Sequence, residues 1–237
     1  MEPLAPLPAP AVRARPTVLM ILALLGAATL AFVLRKPLMM VLPMCTTGRW
    51  DLCFGTFNGV GLVTFAAFPF AVLAVWVSAR HRRAVGVAMA WRMSLAEVGI
   101  IYGTLPWLWI TMLPGSRAGM VTGRVSLVPL RDLATMDAGQ VVGNLLILAA
   151  LGFFAPVRCA GLASLPRILA LGAGCSILIE VAQYVLRLDR VSSVDDVLLN
   201  ATGAALAAAA SHRWWRTRGK PHHLPRPILA RAGGCSG

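Results

Sequence analysis

Ser176-Ile-Leu-Ile-Glu180-Val-Ala-Gln183-Tyr-Val-Leu-Arg187-Leu-Asp-Arg190-Val-Ser-Ser-Val-Asp195-Asp196-Val-Leu-Leu-Asn200-Ala-Thr-Gly203 sets ionisable and amide side chains within and between two segments that otherwise have the apolar character of membrane spans. An ionised carboxylate facing hydrocarbon costs several kcal/mol. Glu180 is therefore expected to face other helices or a wet cavity, to be protonated, or to be paired.

The rest of the chain supplies the spans. Of 237 residues, 58% are hydrophobic and only 13% charged, and the mean hydropathy is +0.74. Its apolar residues fall in blocks of about 18 to 24, the length that crosses roughly 30 Å of hydrocarbon, which makes the chain an integral membrane protein. Six blocks qualify: Val18–Leu34, Gly59–Ala79, Met93–Leu113, Gly139–Val157, Leu165–Leu186 and Val194–Ser211. Each is expected to be α-helical, because a span satisfies its backbone groups internally and none alternates as a barrel strand does. The expected fold is all-α, a polytopic transmembrane helical bundle of about six spans. Arg13 and Arg15 precede the first block as in a signal peptide, but Leu34-Arg35-Lys36-Pro37 follows without a small-residue cleavage site, so the block is kept as a span.

Orientation follows from the 22 Lys and Arg residues. With the amino terminus inside, thirteen lie on the cytoplasmic side (Arg13, Arg15, Arg80, Arg82, Arg83, Arg158, Arg167 and the tail residues from Arg213 to Arg231), eight lie outside, and Arg92 sits at a boundary. The bias predicts both termini cytoplasmic. The same dispersal explains the net charge of +13 without nucleic acid, since no nucleic-acid-binding motif accompanies it and cations of this kind sit against anionic headgroups. Membrane lipids are thus the first expected partner, and the expected location is the bacterial cell membrane, multi-pass.

The chain divides by sequence into a cytoplasmic segment over 1–17, three spans over 18–113, an outer loop with three spans over 114–211, and a basic tail over 212–237. Cys45 and Cys53 share one proposed outer loop, where a disulfide would persist; the alternative is two unpaired small residues near an interface. No CxxC, HExxH or close His/Cys cluster exists, so neither a metal nor another cofactor is expected.

Helical spacing places Glu180, Gln183, Tyr184 and Arg187 on one face of the fifth span, and Asp196, Asn200, Gly203 and Ala207 on one face of the sixth. A short turn makes these spans antiparallel neighbours, and Gly203 with Ala207 forms a small-residue surface for close approach. Asn144 lies about one turn below the outer surface on the fourth span. Three helices then converge on one outward-facing polar pocket, with Glu180, Arg190 and Asp196 as a coupled unit and Asp195 beside it. A plainer account is also open: Ser193-Val-Asp195-Asp196 has the capping-box pattern, and Asn144, Gln183 and Asn200 serve as interhelical hydrogen bonds. Glu97, in the third span, is expected to be locally paired or interfacial, with Arg92 five residues before it. Pro106 is expected to kink that span.

The ordered set Glu180, Gln183, Arg190, Asp196, Asn200 and Gly203 is similar to the carboxy-terminal signature of the VanZ-like family of bacterial membrane proteins. Leu127-Val-Pro129-Leu-Arg131 resembles that family's Leu-Ile-Pro-Phe-Arg loop, and the run from Asn144 to Gly152 resembles its Asn-to-Gly span. Leu130, Leu148 and Ala150 stand where the family often has Phe, Phe and Pro; Ser193 and Ala207 replace a common Asp and Gly. The resemblance covers about Pro106–Ala209 and adds Pro129 and Arg131 to the supporting residues.

What it implies is an envelope role, since VanZ is associated with low-level resistance to the glycopeptide teicoplanin. A lipid-linked cell-wall precursor or a lipoglycopeptide is the implied ligand. Beside this binding role stand two others: an intramembrane enzyme with Glu180 or Asp196 as general base, and a transporter with Glu180 as proton-coupling group. No nucleophile, metal set or phosphate cradle marks the enzyme, and the oligomeric state is not legible.

Overall fold

The structure, a computed structural model, describes residues 39–215 together with Leu25, Phe32 and Arg35. The expected first span over Val18–Leu34, apart from Leu25 and Phe32, and the basic tail beyond Trp215 lie outside the described residues. The chain forms two units, Met1–Phe65 and Ala66–Gly237. In the first, residues 39–46 are helical and lead to helix α1 (Trp50–Phe54), with Cys45 and Cys53 joined as a disulfide, their Cα atoms 5.1 Å apart. Helix α2 (Phe57–Ala84) starts there, its first turn capped by the Thr56 hydroxyl, which accepts the Gly59 N–H at 3.1 Å.

The second unit contains helices α3 (Ala90–Thr111), α4 (Ala138–Ile147), α5 (Ala149–Arg158), α6 (Leu165–Val185) and α7 (Val194–Ala210). Four helical stretches are long and apolar enough to cross a membrane: α2, α3, α4 with α5, and α6. Helix α7 has 17 residues and rises only about 25 Å at ~1.5 Å per residue, less than ~30 Å of hydrocarbon. Lipid contact is not its main environment, because α4, α5 and α6 all pack against it and Ala204 and Ala208 are fully buried.

Small residues permit this. A Cβ at Gly203 would collide with the backbone of Leu145 in α4, and one at Gly152 in α5 would collide with Ala204. Close approach at Gly203 thus serves the fourth span, whereas α6 reaches α7 through Gly172, which faces Ala201 and Ala204. The expected fourth span is divided at Leu148 (φ −109°, ψ 8°), between these two contacts with α7. Helix α3 runs through Pro106 to Thr111 without ending.

The connection after α3 is not wholly irregular. Strand β1 (Arg124–Ser126) pairs in parallel with β2 (Val191–Ser193), Val125 opposite Ser192. The all-α expectation is corrected to this extent; three-residue strands are too short to carry a period-2 signal. Together with the turn after α6, this connection forms one end of the unit, here the loop end. The opposite end is closed by Glu97, which bonds Arg82 of α2 and Arg158 of α5, the latter at 2.5 Å. Arg92, the expected neighbour, instead donates to the Trp214 carbonyl.

Candidate functional site

The loop end is built on the turn that leaves α6. Arg187 and Asp189 both adopt left-handed backbone (φ 51° and 56°), and two carbonyls of this turn are taken up by the connection after α3. Those of Leu188 and Arg187 accept the N–H groups of Gly115 and Gly119, each at 2.9 Å. Asp189 accepts the Arg117 N–H at 3.2 Å and lies 3.6 Å from its guanidinium. Arg187 is exposed and contributes here through its backbone.

Asp195 fastens the middle of the long connection. Its carboxylate, 1% exposed, accepts backbone N–H groups from Leu130 at 2.5 Å and from Asp132 and Leu133 at 2.9 Å each. Pro129 and Leu130 occupy the two central positions of the turn from Val128 to Arg131, and Leu130 takes φ 65°, a region costly for a side chain with a Cβ. The charge-assisted bond to Asp195 offsets that cost. Ser193 completes the junction: its hydroxyl donates to Asp132 at 2.7 Å and accepts the Asp195 N–H at 3.2 Å as the cap of α7. The Ser193 hydroxyl, with the Ser126 hydroxyl beside it, holds the Asp132 carboxyl below the usual aspartate range, and Arg131 acts in the same direction.

A capping box would have Asp196 turn back to the Ser193 N–H. It does not. That N–H donates at 3.1 Å to Glu180 of the neighbouring helix, so the acid serving the cap comes from α6. The Ser192 hydroxyl donates to the Glu180 carbonyl at 3.0 Å. Asp196, relieved of capping, is bonded by the Asn144 amide of α4. Glu180 and Asp196 stand on adjoining helices, α6 and α7, and Arg190 lies in the turn that joins them. Arg190 is exposed and makes no ion pair with either among the described residues; its guanidinium reaches the Leu113 carbonyl at 3.4 Å.

The Glu180–Ser193 and Asn144–Asp196 bonds therefore tie α6 and α4 to the start of α7, and Arg190 lies in the turn between α6 and α7. Gln183 and Asn200 turn elsewhere. Gln183 donates to the Thr111 carbonyl at the end of α3, 2.9 Å away, and Asn200 donates to Ser176 of α6 at 2.7 Å, deeper in the bundle. Both are interhelical bonds of the plainer kind, although the buried Asn200 carbonyl oxygen has no partner among the described residues. Gly203 serves packing.

A cleft of about 430 Å³ opens beside the β1–β2 pair, with Arg124 and Arg131 among its lining residues. Pro129 is exposed in the turn next to it. Arg124, Ser126 and Asp132 are members of this end that sequence reading did not single out. The capping box that does form is Asp137 with Gln140 at the start of α4, legible in the Asp-x-x-Gln spacing. No group of His, Cys, Asp and Glu among the described residues is arranged to hold a metal ion.

Residues 100–215 match the family model described as VanZ/LLP1. No curated protein and no solved structure matches the chain. The matched segment contains the whole loop end, from the last turns of α3 through α7.

Proposed function

Through residues 100–215 the chain belongs to the VanZ-like family, and from that premise we propose that it is a multi-pass protein of the bacterial cell membrane whose loop end faces outward and engages a cell-envelope component. In this role it modulates susceptibility to glycopeptide antibiotics of the teicoplanin type. A lipid-linked cell-wall precursor or the lipoglycopeptide itself is the ligand class.

One observation carries the reading. Glu180, 8% exposed, and Asp196 are two acids on adjoining helices, α6 and α7, and among the described residues neither has an ion pair. Glu180 accepts the Ser193 N–H and Asp196 accepts from the Asn144 amide, bonds that an uncharged acceptor also provides, so keeping both side chains as acids raises the cost of the fold without a structural return. Acids kept within a membrane bundle at such cost mark functional sites. The split of thirteen basic residues against eight supports both termini cytoplasmic and this end outside.

The test is a paired measurement of protein abundance and glycopeptide susceptibility for Glu180→Gln, Asp196→Asn and Arg190→Gln. Glu180→Gln retains an acceptor for the Ser193 N–H, so abundance is expected to hold while the phenotype falls; Glu180→Ala is expected to lower both. Wild-type phenotype at wild-type abundance in all of them overturns the site. Outside labelling of a tag placed after Lys220 overturns the orientation.

A further inference from the structure

We propose that the cleft beside the β1–β2 pair is a seat for the phosphate group of a membrane lipid, gripped by Arg124 and Arg131 and by the Ser126 hydroxyl. This deepens the function proposed above by naming the chemistry that the loop end engages, and rests on it for placing that end at a membrane surface.

Four observations meet here. The cleft, about 430 Å³, is bordered by two guanidiniums, and neither makes a side-chain hydrogen bond or ion pair among the described residues. Guanidinium groups match phosphate oxygens by forked hydrogen bonding. The Ser126 hydroxyl belongs to the same lining, beside the Asp132 carboxyl, and adds a neutral donor to the two cations. Asp132 contributes the lining's carboxylate, already bonded by Ser193, so two cations and one anion leave a net charge of +1 facing an anionic phosphate ester.

The apolar part of the rim decides between a lipid and free phosphate. Leu127 is 77% exposed and Val128 54%, both in the lining, and Met120 and Leu130 are exposed nearby in the same connection. Such side chains at the end of membrane-spanning helices suit the boundary between headgroups and hydrocarbon. A soluble anion has no use for them; a phosphate carrying acyl chains does. The fastening of this connection by Asp195 holds Arg131 in position before any ligand arrives.

The experiment uses the purified full chain in detergent and three probes: dioctanoyl phosphatidic acid, dioctanoylglycerol with the same tails but no phosphate, and inorganic phosphate. Binding is read by native mass spectrometry and by the shift in melting temperature. Saturable binding of the phosphatidic acid is expected, with the glycerol and inorganic phosphate each weaker by about tenfold or more. Arg124→Gln with Arg131→Gln should weaken the phosphatidic acid by about tenfold or more without lowering the melting temperature of the unliganded protein. Equal binding of the glycerol, equal binding of inorganic phosphate, or unchanged affinity in the double variant overturns the proposal. The envelope reading is scored separately by Glu180→Gln: an altered phenotype with no lipid binding sinks the cleft alone, and lipid binding with a silent Glu180→Gln supports the cleft while removing the envelope site.

Discussion

The two ends of the helical unit treat their acids in opposite ways. At one end Glu97 is clamped between Arg82 and Arg158, two cations from two other helices around one carboxylate. At the loop end Asp189 pairs with the exposed Arg117, but Asp132, Asp195, Asp196 and Glu180 form no ion pair among the described residues and are held by backbone N–H, hydroxyl and amide donors. Pairing cancels charge; neutral donors stabilise a carboxylate while leaving its field in place. The clamp is suited to joining helices. The loop end keeps charge that a ligand or proton can answer.

The largest expected effect comes from Asp195. Asp195→Ala leaves three backbone N–H groups without their acceptor and frees the strained turn at Leu130, at a cost of about 3–5 kcal/mol if each charge-assisted bond is worth ~1.5 kcal/mol or somewhat less. Hydrogen exchange should rise sharply over 128–133, with a lower melting temperature in detergent. Asp195→Asn, which retains one acceptor oxygen, should fall between. If exchange over this segment is unchanged in Asp195→Ala, the loop end is not organised by that carboxylate and the contrast with the clamp fails.

Next is the clamp itself. Glu97→Gln brings two guanidiniums together over a neutral amide, and the cost, discounted because these side chains are partly exposed, is about 1–2 kcal/mol. The melting temperature should drop, and added salt should recover part of the loss by screening the repulsion, while the wild type moves little. Glu180→Gln should show no such salt-dependent recovery, since no bonded arginine is left behind. Identical salt responses in the two variants would erase the distinction between the ends.

How far the sequence reveals these ends depends on what holds them. Helix α6 was expected over Leu165–Leu186 and runs Leu165–Val185, because a long apolar block framed by polar turns has few alternatives. The side-by-side packing of α6 and α7 is also legible, since a short turn joins them. Gln183 and Asn200 share helical faces with Glu180 and Asp196 yet bond different neighbours, because a helical face is wide enough to meet two partners and packing selects which. The partners of Glu97 lie 15 and 61 residues away, and nothing local marks them. Asp195 reads from sequence only as a supporting acid beside the pocket; its three partners are backbone groups, which carry no side-chain signature.

A smaller effect sharpens the account of the turn. At φ 65°, Leu130 pays for a backbone region that glycine enters freely and β-branched residues resist. Leu130→Gly should leave the melting temperature close to wild type, the relief of strain offsetting the added freedom of the unfolded chain, whereas Leu130→Val should lower stability by about 1 kcal/mol. Reversal of that order would mean that the Asp195 bond does not fix this conformation.

The smallest expected effect is the acid dependence of the Ser193–Asp132 contact. A carboxyl held below its ordinary range binds its proton more weakly in the folded than in the unfolded chain, so the unfolded chain takes up protons first as pH falls. The stabilisation is therefore fully present above the unfolded aspartate value, about 4, and is lost as pH drops through the lower folded value. The melting-temperature difference between wild type and Asp132→Asn should be constant from about pH 8 to pH 5 and shrink only below about pH 4. A difference that instead changes across neutral pH would assign the pH dependence to other groups. Glu97→Gln also supplies a control: its deficit relative to wild type should keep its salt dependence from about pH 8 to pH 5, the range in which Asp132→Asn shows a flat response.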